Sequence, residues 1–252
     1  MRQTERLALI LETLSVDRTV GVAALSRRLQ VSAATIRRDL SHLQEQRLLS
    51  RTHGGAVAQG VLYELPLRYK GARRQDEKRR IALAAAARID DGMAVGLTGG
   101  TTCTEVARAL VERQRLTVVT NALNIASELA IRPNLRLVVT GGTARPESYE
   151  LVGPIADQTL AGLHLDVVCI GVDGIDVGAG CTTHHEVEAA TDLALIERAA
   201  RVLVVADASK IGHVAFAQIC PIERVDTFIT DRGAGVRALH ALRQAGLEVV
   251  AV

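Results

Sequence analysis

From residue 92 onward the chain alternates short apolar runs with segments of helical period, and this alternation limits its fold more than any other feature. The runs are Met93–Leu97, Leu116–Thr120, Leu135–Thr140, Asp166–Gly171, Val202–Ala206, Thr227–Thr230 and Leu247–Ala251. They have strand length and are bounded by Gly, Thr, Asn or Asp. Helical patterns fill the gaps at Thr102–Val111, Asn121–Ile131, Ile155–Gly162, His185–Ala200 and Gly235–Ala245, and another covers Asp76–Ala87. Strands alternating with helices predict an α/β domain with a mostly parallel sheet.

The residues just after each strand point to a ligand. The first run leads into Thr98-Gly99-Gly100-Thr101-Thr102, the second into Thr120-Asn121 and the third into Gly141-Gly142-Thr143. The fourth leads to Asp173-Gly174-Ile175-Asp176 and the fifth to Asp207-Ala208-Ser209-Lys210. Ligands of open α/β sheets bind at the carboxyl ends of strands. Gly99 and Gly100 let the backbone approach an anion, Thr101 and Thr102 add hydroxyls, and the following helix start adds a favourable dipole. There is no Gly-Lys-Ser/Thr and no G-x-G-x-x-G, so this is neither a P-loop nor a dinucleotide turn. Lys210, one of three lysines, supplies a compact positive charge, and Asp173 can accept hydrogen bonds from sugar hydroxyls. With Thr120, Asn121, Gly141 and Gly142 these residues form a candidate site for a phosphorylated polyol.

The first eighty residues differ in kind. Of the chain's 30 Lys and Arg, 16 fall in residues 1–80 beside 8 of the 28 Asp and Glu, a net of +8 that leaves −6 for the rest. Such asymmetry suits a nucleic-acid-facing front, although a basic solvated surface gives the same count. Leu7, Ile10, Leu11 and Leu14 share one helical face, Val22, Leu25 and Leu29 mark a short second helix, and Gln30-Val31 makes a tight turn. Ser32 is a good N-cap for a third helix, with Ile36, Leu40 and Leu43 inward and Ala33, Ala34, Arg37, Arg38 and Ser41 outward. Helix, turn, and a helix of small and basic residues read as a helix-turn-helix. "RLLSRTHGGAV" then predicts a small β-wing, with Arg51 and His53 placed for the DNA backbone.

"VSAATIRRDLSHLQEQRLLSRTHGGAV" resembles the winged helix-turn-helix of the DeoR family of bacterial transcription regulators, and the resemblance implies that Ser32, Thr35, Arg37 and Arg38 face the major groove. Gln46-Arg47 and Ser41-His42 depart mildly from its pattern. The rear also resembles the sensor domain of that family through "LTVVTNALNIA", "LVVTGGTARPES", "VDGIDVGAGCTTHHEVEAA" and "VLVVADASKIG". This implies a sugar phosphate or related phosphorylated metabolite as effector. Thr98 and Gly99 stand where many members have Asp-Ser, so a carboxylate able to grip a sugar hydroxyl is missing there.

The sensor half is similar to pentose-phosphate isomerases as well, which makes a sugar-phosphate isomerase with a DNA-binding head the alternative. In those enzymes a lysine-bearing turn follows Asp-Gly-x-Asp, whereas here Gly178-Ala179-Gly180-Cys181-Thr182-Thr183 carries none. Enediol chemistry needs both a carboxylate base and an electrophile, so binding without turnover is the expectation. His184, His185, Glu186 and Glu188 lack H-E-x-x-H spacing, and neither a metal nor a cofactor is expected. Cys103, Cys169, Cys181 and Cys220 form no C-x-x-C pair and suit a reducing cytoplasm. No apolar run reaches membrane-spanning length, and the amphipathic start does not read as a signal peptide.

The expected organisation is a winged helix-turn-helix over 1–57, a linker over 58–75 and an α/β effector-binding and oligomerisation domain over 76–252. Its partners are a double-stranded DNA operator, a phosphorylated sugar effector and further copies of the chain, since operator symmetry calls for a homo-oligomer. Arg73, Arg74, Lys78, Arg79 and Arg80 fit DNA phosphates, a solvated face or an intersubunit contact equally well.

Overall fold

A computed structural model describes residues 1–58, 66–71 and 74–252, with the backbone alone for Ser15 and Val16. The chain divides into two compact units, Met1–Arg73 and Arg74–Val252.

In the front unit α1 (Gln3–Asp17), α2 (Val22–Leu29) and α3 (Ala33–Glu45) pack around a core of Leu7, Ile10, Leu11, Leu14, Leu25, Ile36, Leu40 and Leu43. These are the inward positions expected from the 3.6-residue period, except that Leu29 is only half-buried. Gln30 ends α2 in a left-handed conformation, φ 53°, and so turns the chain into α3. Ser32 caps α3 by accepting the Thr35 N–H at 3.1 Å.

A buried ion pair joins α1 to α3. The Arg6 guanidinium forks onto Asp39, with Nη2 at 3.0 Å from Oδ1, and Asp39 is 1% exposed. The hydrogen bond to Asp39 raises the already high pKa of Arg6 further. Asp39 follows the two outward arginines, so its inward clamp fixes the roll of α3 and therefore where Arg37 and Arg38 point.

The wing has three strands where two were expected. β2 (Leu49–Arg51) and β3 (Gly55–Ala58) form the hairpin, and β1 (Thr19–Gly21), in a stretch read only as an interruption, adds to β3 antiparallel. A Cβ on Gly55 would lie 1.8 Å from the Val20 carbonyl oxygen, so only glycine lets β1 lie against β3. Inside the expected linker, α4 (Leu67–Lys70) buries Tyr69 in the front core, and its hydroxyl donates to Gln46 Oε1. The rest of that linker at 59–65, and Ala72 and Arg73, lie outside the described residues.

In the rear unit α5 (Gln75–Ala86) leads to β4 (Ala94–Leu97), α6 (Thr101–Ala109), β5 (Thr117–Thr120), α7 (Leu123–Leu129) and β6 (Arg136–Val139). After β7 (Thr143–Ala144) and β8 (Leu151–Val152) come α8 (Pro154–Ala161), β9 (Val167–Ile170), β10 (Gly174–Asp176), β11 (Gly180–Thr183) and α9 (Glu186–Glu197). The chain ends with β12 (Val202–Val205), β13 (Ala217–Cys220), β14 (Thr227–Thr230), α10 (Val236–Gln244) and β15 (Glu248–Ala251). All seven expected strands join one sheet in the order β15-β14-β12-β9-β4-β5-β6, and every pairing is parallel. Alternate residues serve the two faces. Val167, Cys169, Leu203 and Val205 pack with α5, α6 and α7, while Val168, Ile170, Val202 and Val204 pack with α8, α9 and α10.

Two small antiparallel sheets, β10-β11-β13 and β7-β8, were not expected. Gly174–Asp176, read as part of a turn, is strand β10, where a Cβ on Gly174 would lie 2.1 Å from the His213 carbonyl oxygen.

Removing one member of the Arg6–Asp39 pair leaves the other charge buried. Asp39→Ala is expected to destabilise the front unit by about 3–5 kcal/mol, read by urea denaturation, whereas Asp17→Ala at the exposed end of α1 is expected to stay within about 0.5 kcal/mol.

Candidate functional site

The outward face of α3 is built as its sequence pattern indicates, except that Ala33 packs against the front core. Arg37 and Arg38 are exposed, Ser32 is exposed at the cap, and Thr35 is half-buried, its hydroxyl 2.9 Å from that of Ser32. Ile36, Asp39 and Leu40 are buried on the opposite side. In the wing, Arg51 reaches back to α3, donating from Nη1 to Ser41 Oγ at 2.9 Å, and His53 is exposed at the tip between β2 and β3. Side chains from helix and wing thus share one basic face of the unit.

In the rear unit the five turns follow β12, β9, β4, β5 and β6, which are five adjacent strands of the sheet. Parallel pairing brings their carboxyl ends to one edge. From β4 the connections run outward one way through β5 and β6, and from β9 the other way through β12, β14 and β15. The crevice between β4 and β9 is therefore the topological switch point. Thr98 ties its two sides: its hydroxyl accepts the Gly171 N–H at 3.1 Å, and its N–H donates to the Cys169 carbonyl at 3.2 Å.

Gly100 takes φ +100° as the residue before α6. The first helical bond of α6 runs from the Thr104 N–H to the Gly100 carbonyl at 3.0 Å, so the N–H groups of Thr101, Thr102 and Cys103 are aimed beyond the helix end. Thr101 is half-buried and Thr102 buried. Gly141 (φ +72°) and Gly142 (φ +122°) bend the chain after β6, and a Cβ on Gly142 would press 2.8 Å against the Val152 carbonyl oxygen.

Three candidates have internal work. The Thr120 hydroxyl donates to the Leu97 carbonyl at 2.8 Å and accepts the Ala122 N–H at 3.1 Å, so it holds the turn in shape. Lys210 and Asp173 face each other, Nζ to Oδ1 at 3.0 Å, with His184 Nε2 3.8 Å from the other carboxylate oxygen. The turn before Lys210 is braced by Asp207, which accepts from the Ser209 N–H at 3.0 Å and hydroxyl at 2.6 Å.

Acidic residues surround this edge, among them Glu150 and Asp192, which the sequence pattern did not single out. Glu150, just before β8, packs on Gly99, and Asn121 Nδ2 donates to its Oε2 at 3.3 Å. Glu188 pairs with Arg145 at 2.7 Å. Asp192 on α9 is fully enclosed, and burial, reinforced by Glu150, Glu188, Cys220 and Asp173, pushes its carboxyl well above 3.8. Burial also pushes Cys169, beneath the glycine turn, up to about 12, against a smaller lowering by Arg201. Only the i, i+4 period of α9 relates Glu188 to Asp192 in sequence; Glu150 and Asp173 come from distant segments.

His185 is the N-cap of α9, its Nδ1 accepting the Val187 N–H at 3.2 Å. Among the described residues no group of three or more His, Cys, Asp and Glu side chains is arranged to hold a metal ion. A cleft of about 550 Å³ lined by Arg80, Leu83, Ala84, Arg232 and Val252 contains none of the turn residues.

The model of the DeoR-like helix-turn-helix domain matches residues 6–60, and that of the DeoR C terminal sensor domain matches residues 73–232. The chain belongs to the DeoR family. A putative aga operon transcriptional repressor of Escherichia coli O157:H7 is 35% identical over 252 residues, covering 99% of this chain and 94% of the relative. A glycerol-3-phosphate regulon repressor of Escherichia coli K12 is 33% identical over 242 residues, covering 96% of each chain. Among solved structures, ribose 5-phosphate isomerase A from Neisseria gonorrhoeae is 18% identical, with coverage of 54% of this chain and 53% of that one and a TM-score of 0.39. This DeoR-family member is a DNA-binding transcription regulator with a sensor domain for a small-molecule effector. No helix among its described residues is long and apolar enough to cross a membrane.

The Asp192 carboxyl carries a stability signature. Its raised folded-state pKa means that the unfolded carboxyl ionises first, so stability falls as pH rises from about 4 toward the folded value. Asp192→Asn is expected to flatten that fall, read as a smaller difference between urea unfolding free energies at pH 4.5 and 7.5 than in the parent chain.

Proposed function

We propose that the chain is a repressor of carbohydrate-metabolism genes, acting in the cytoplasm and released from its operator by a phosphorylated sugar. In this reading Ser32, Thr35, Arg37 and Arg38 enter the major groove, while Arg51 and His53 hold the DNA backbone. Exposed Arg37 and Arg38 directly before the buried Asp39 clamp support the assignment, because the clamp presents both guanidiniums without spending them on internal bonds. Operator symmetry supports a homo-oligomer.

The observation carrying the sensor half is the placement of five ligand-type turns after five adjacent strands at the switch point. The phosphate would lie on Gly99, Gly100 and the Thr101-Thr102 helix start. Gly141 and Gly142 would shape the neighbouring wall, Asn121 and Asp173 would take hydroxyls, and Thr120 would act by holding its turn. Lys210 would exchange its Asp173 partner in part for the effector's negative charge. For the effector to release DNA it must bind two states of the protein with different affinity. The aga and glycerol-3-phosphate names of the two relatives support a phosphorylated carbohydrate or polyol as ligand class.

Binding without turnover fits the Gly178–Thr183 segment, which brings no lysine to the site, and Lys210, whose ammonium is held by Asp173. Isomerisation of a pentose or hexose phosphate that disappears in Asp173→Ala would instead support the enzymatic alternative.

Two measurements test the proposal. On an operator selected from random duplexes by the intact chain, Arg37→Ala is expected to cost about 1–3 kcal/mol of binding free energy and to relax preference at one base position. Unchanged affinity and preference in both Arg37→Ala and Arg38→Ala would remove them from the interface. In a thermal-shift screen, a phosphorylated sugar at about 100 times its Kd adds about 2.7 kcal/mol of stability, and Lys210→Ala is expected to lose most of that shift.

A further inference from the structure

Glu150 occupies a place that the glycine turn leaves open. A Cβ on Gly99 would lie 2.0 Å from its Oε1 and 2.5 Å from its Cγ, so a glycine is what allows the carboxylate to rest on the turn. The backbone fixes this position. Ala122 and Glu150 form an antiparallel bridge, the Leu123 N–H donates to the Tyr149 carbonyl at 2.9 Å, and the Leu151 N–H donates to the Asn121 carbonyl at 2.7 Å. The same bridge places the Asn121 side chain beside the carboxylate, with Nδ2 as donor to Oε2. Asn121 is wholly buried, and its Oδ1 has no hydrogen-bond partner among the described residues. An acceptor left unpaired in a protein interior costs about 1–3 kcal/mol, so its retention beside a ligand edge needs a reason.

The chemistry of the pair selects its ligand. A carboxylate among Asp173, Glu188 and Asp192 repels a phosphate and accepts from hydroxyls, and Asn121 Oδ1 is likewise an acceptor only. We propose that Glu150 and Asn121 form a hydroxyl-reading pair beside the anion turn, and that the effector carries two neighbouring free hydroxyls close to its phosphate. Glu150 then supplies, from another segment, the carboxylate missing at Thr98-Gly99. The inference rests on the reading of this edge as a phosphorylated-sugar site. It adds which residues discriminate among such sugars, and it makes deoxy analogues poor ligands, because they leave Asn121 Oδ1 buried and unpaired.

The test compares the full-length chain with Glu150→Gln and Glu150→Ala. The first keeps the shape and removes the charge. The second removes the carboxylate altogether and leaves the glycine turn as it is. Calorimetric titrations use ribose 5-phosphate, glucose 6-phosphate and glycerol 3-phosphate, the singly deoxygenated analogues of each that binds, and inorganic phosphate as competitor. The parent chain is expected to bind at least one deoxy analogue about tenfold or more weakly than its hydroxylated parent. In both variants that ratio is expected to fall below about threefold while inorganic phosphate competes as before and operator binding persists. A ratio unchanged in the variants that fold overturns the role of Glu150 and leaves the sugar-phosphate reading standing. A parent chain with no deoxy discrimination also overturns the pair. A parent chain that binds none of the phosphorylated compounds sinks the sugar-phosphate reading, and the inference with it.

Discussion

The parallel pairing of β4 with β9 is the constraint on which the sensor half depends. Both strands are buried on both faces, so neither can slip by one residue without exchanging the α5–α7 face for the α8–α10 face. Once that register is set, Leu97 ends beside Cys169, Thr98 reaches the Gly171 N–H, and the two strand-end turns meet across the crevice. The glycine turn is therefore a rigid feature of the sheet edge, and α6 starts from a fixed point. The apolar core thus sets the geometry of a polar site that contributes little to the core itself.

The front unit solves a similar problem with charge. A short three-helix core of Leu and Ile can be filled in several rolls of α3, because aliphatic side chains pack with little directional preference. The Arg6–Asp39 fork has a single geometry, and its burial makes the wrong roll expensive. Ser32 at the start of α3 and the Arg51–Ser41 bond at its middle act in the same sense. Three polar contacts along one helix thus orient the face that we propose meets DNA.

The rear site handles its many carboxylates by division of labour. Asp173 and Glu188 are each answered by a cation, Lys210 and Arg145. Asp192, fully enclosed, is pushed toward its neutral form by the others. Such a site gains electrostatic definition without accumulating unbalanced charge, which a buried cluster cannot sustain.

Much of this was legible in the sequence, and the limits of legibility are physical. The seven short apolar runs announced the seven strands, since a central strand buried on both faces writes an unbroken hydrophobic word. The inward residues of α1 and α3 were equally plain from their period. Strands β1, β7, β8, β10, β11 and β13 have two to four residues each and were missed, because their stability comes from pairing with partners that the local pattern does not reveal. Glu150 escaped for the same reason: nothing in "ESYELVG" says that its carboxylate will lie on Gly99, fifty-one residues earlier. Asp39 was seen as part of a motif, yet its inward direction was not. The sequence by itself determined the two-part organisation, the parallel sheet and the chemical types gathered at its edge, because periodicity and turn residues are local. Only the tertiary structure decided which charges answer one another, since ion pairing between Arg6 and Asp39 or Lys210 and Asp173 depends on distances that a linear chain does not contain.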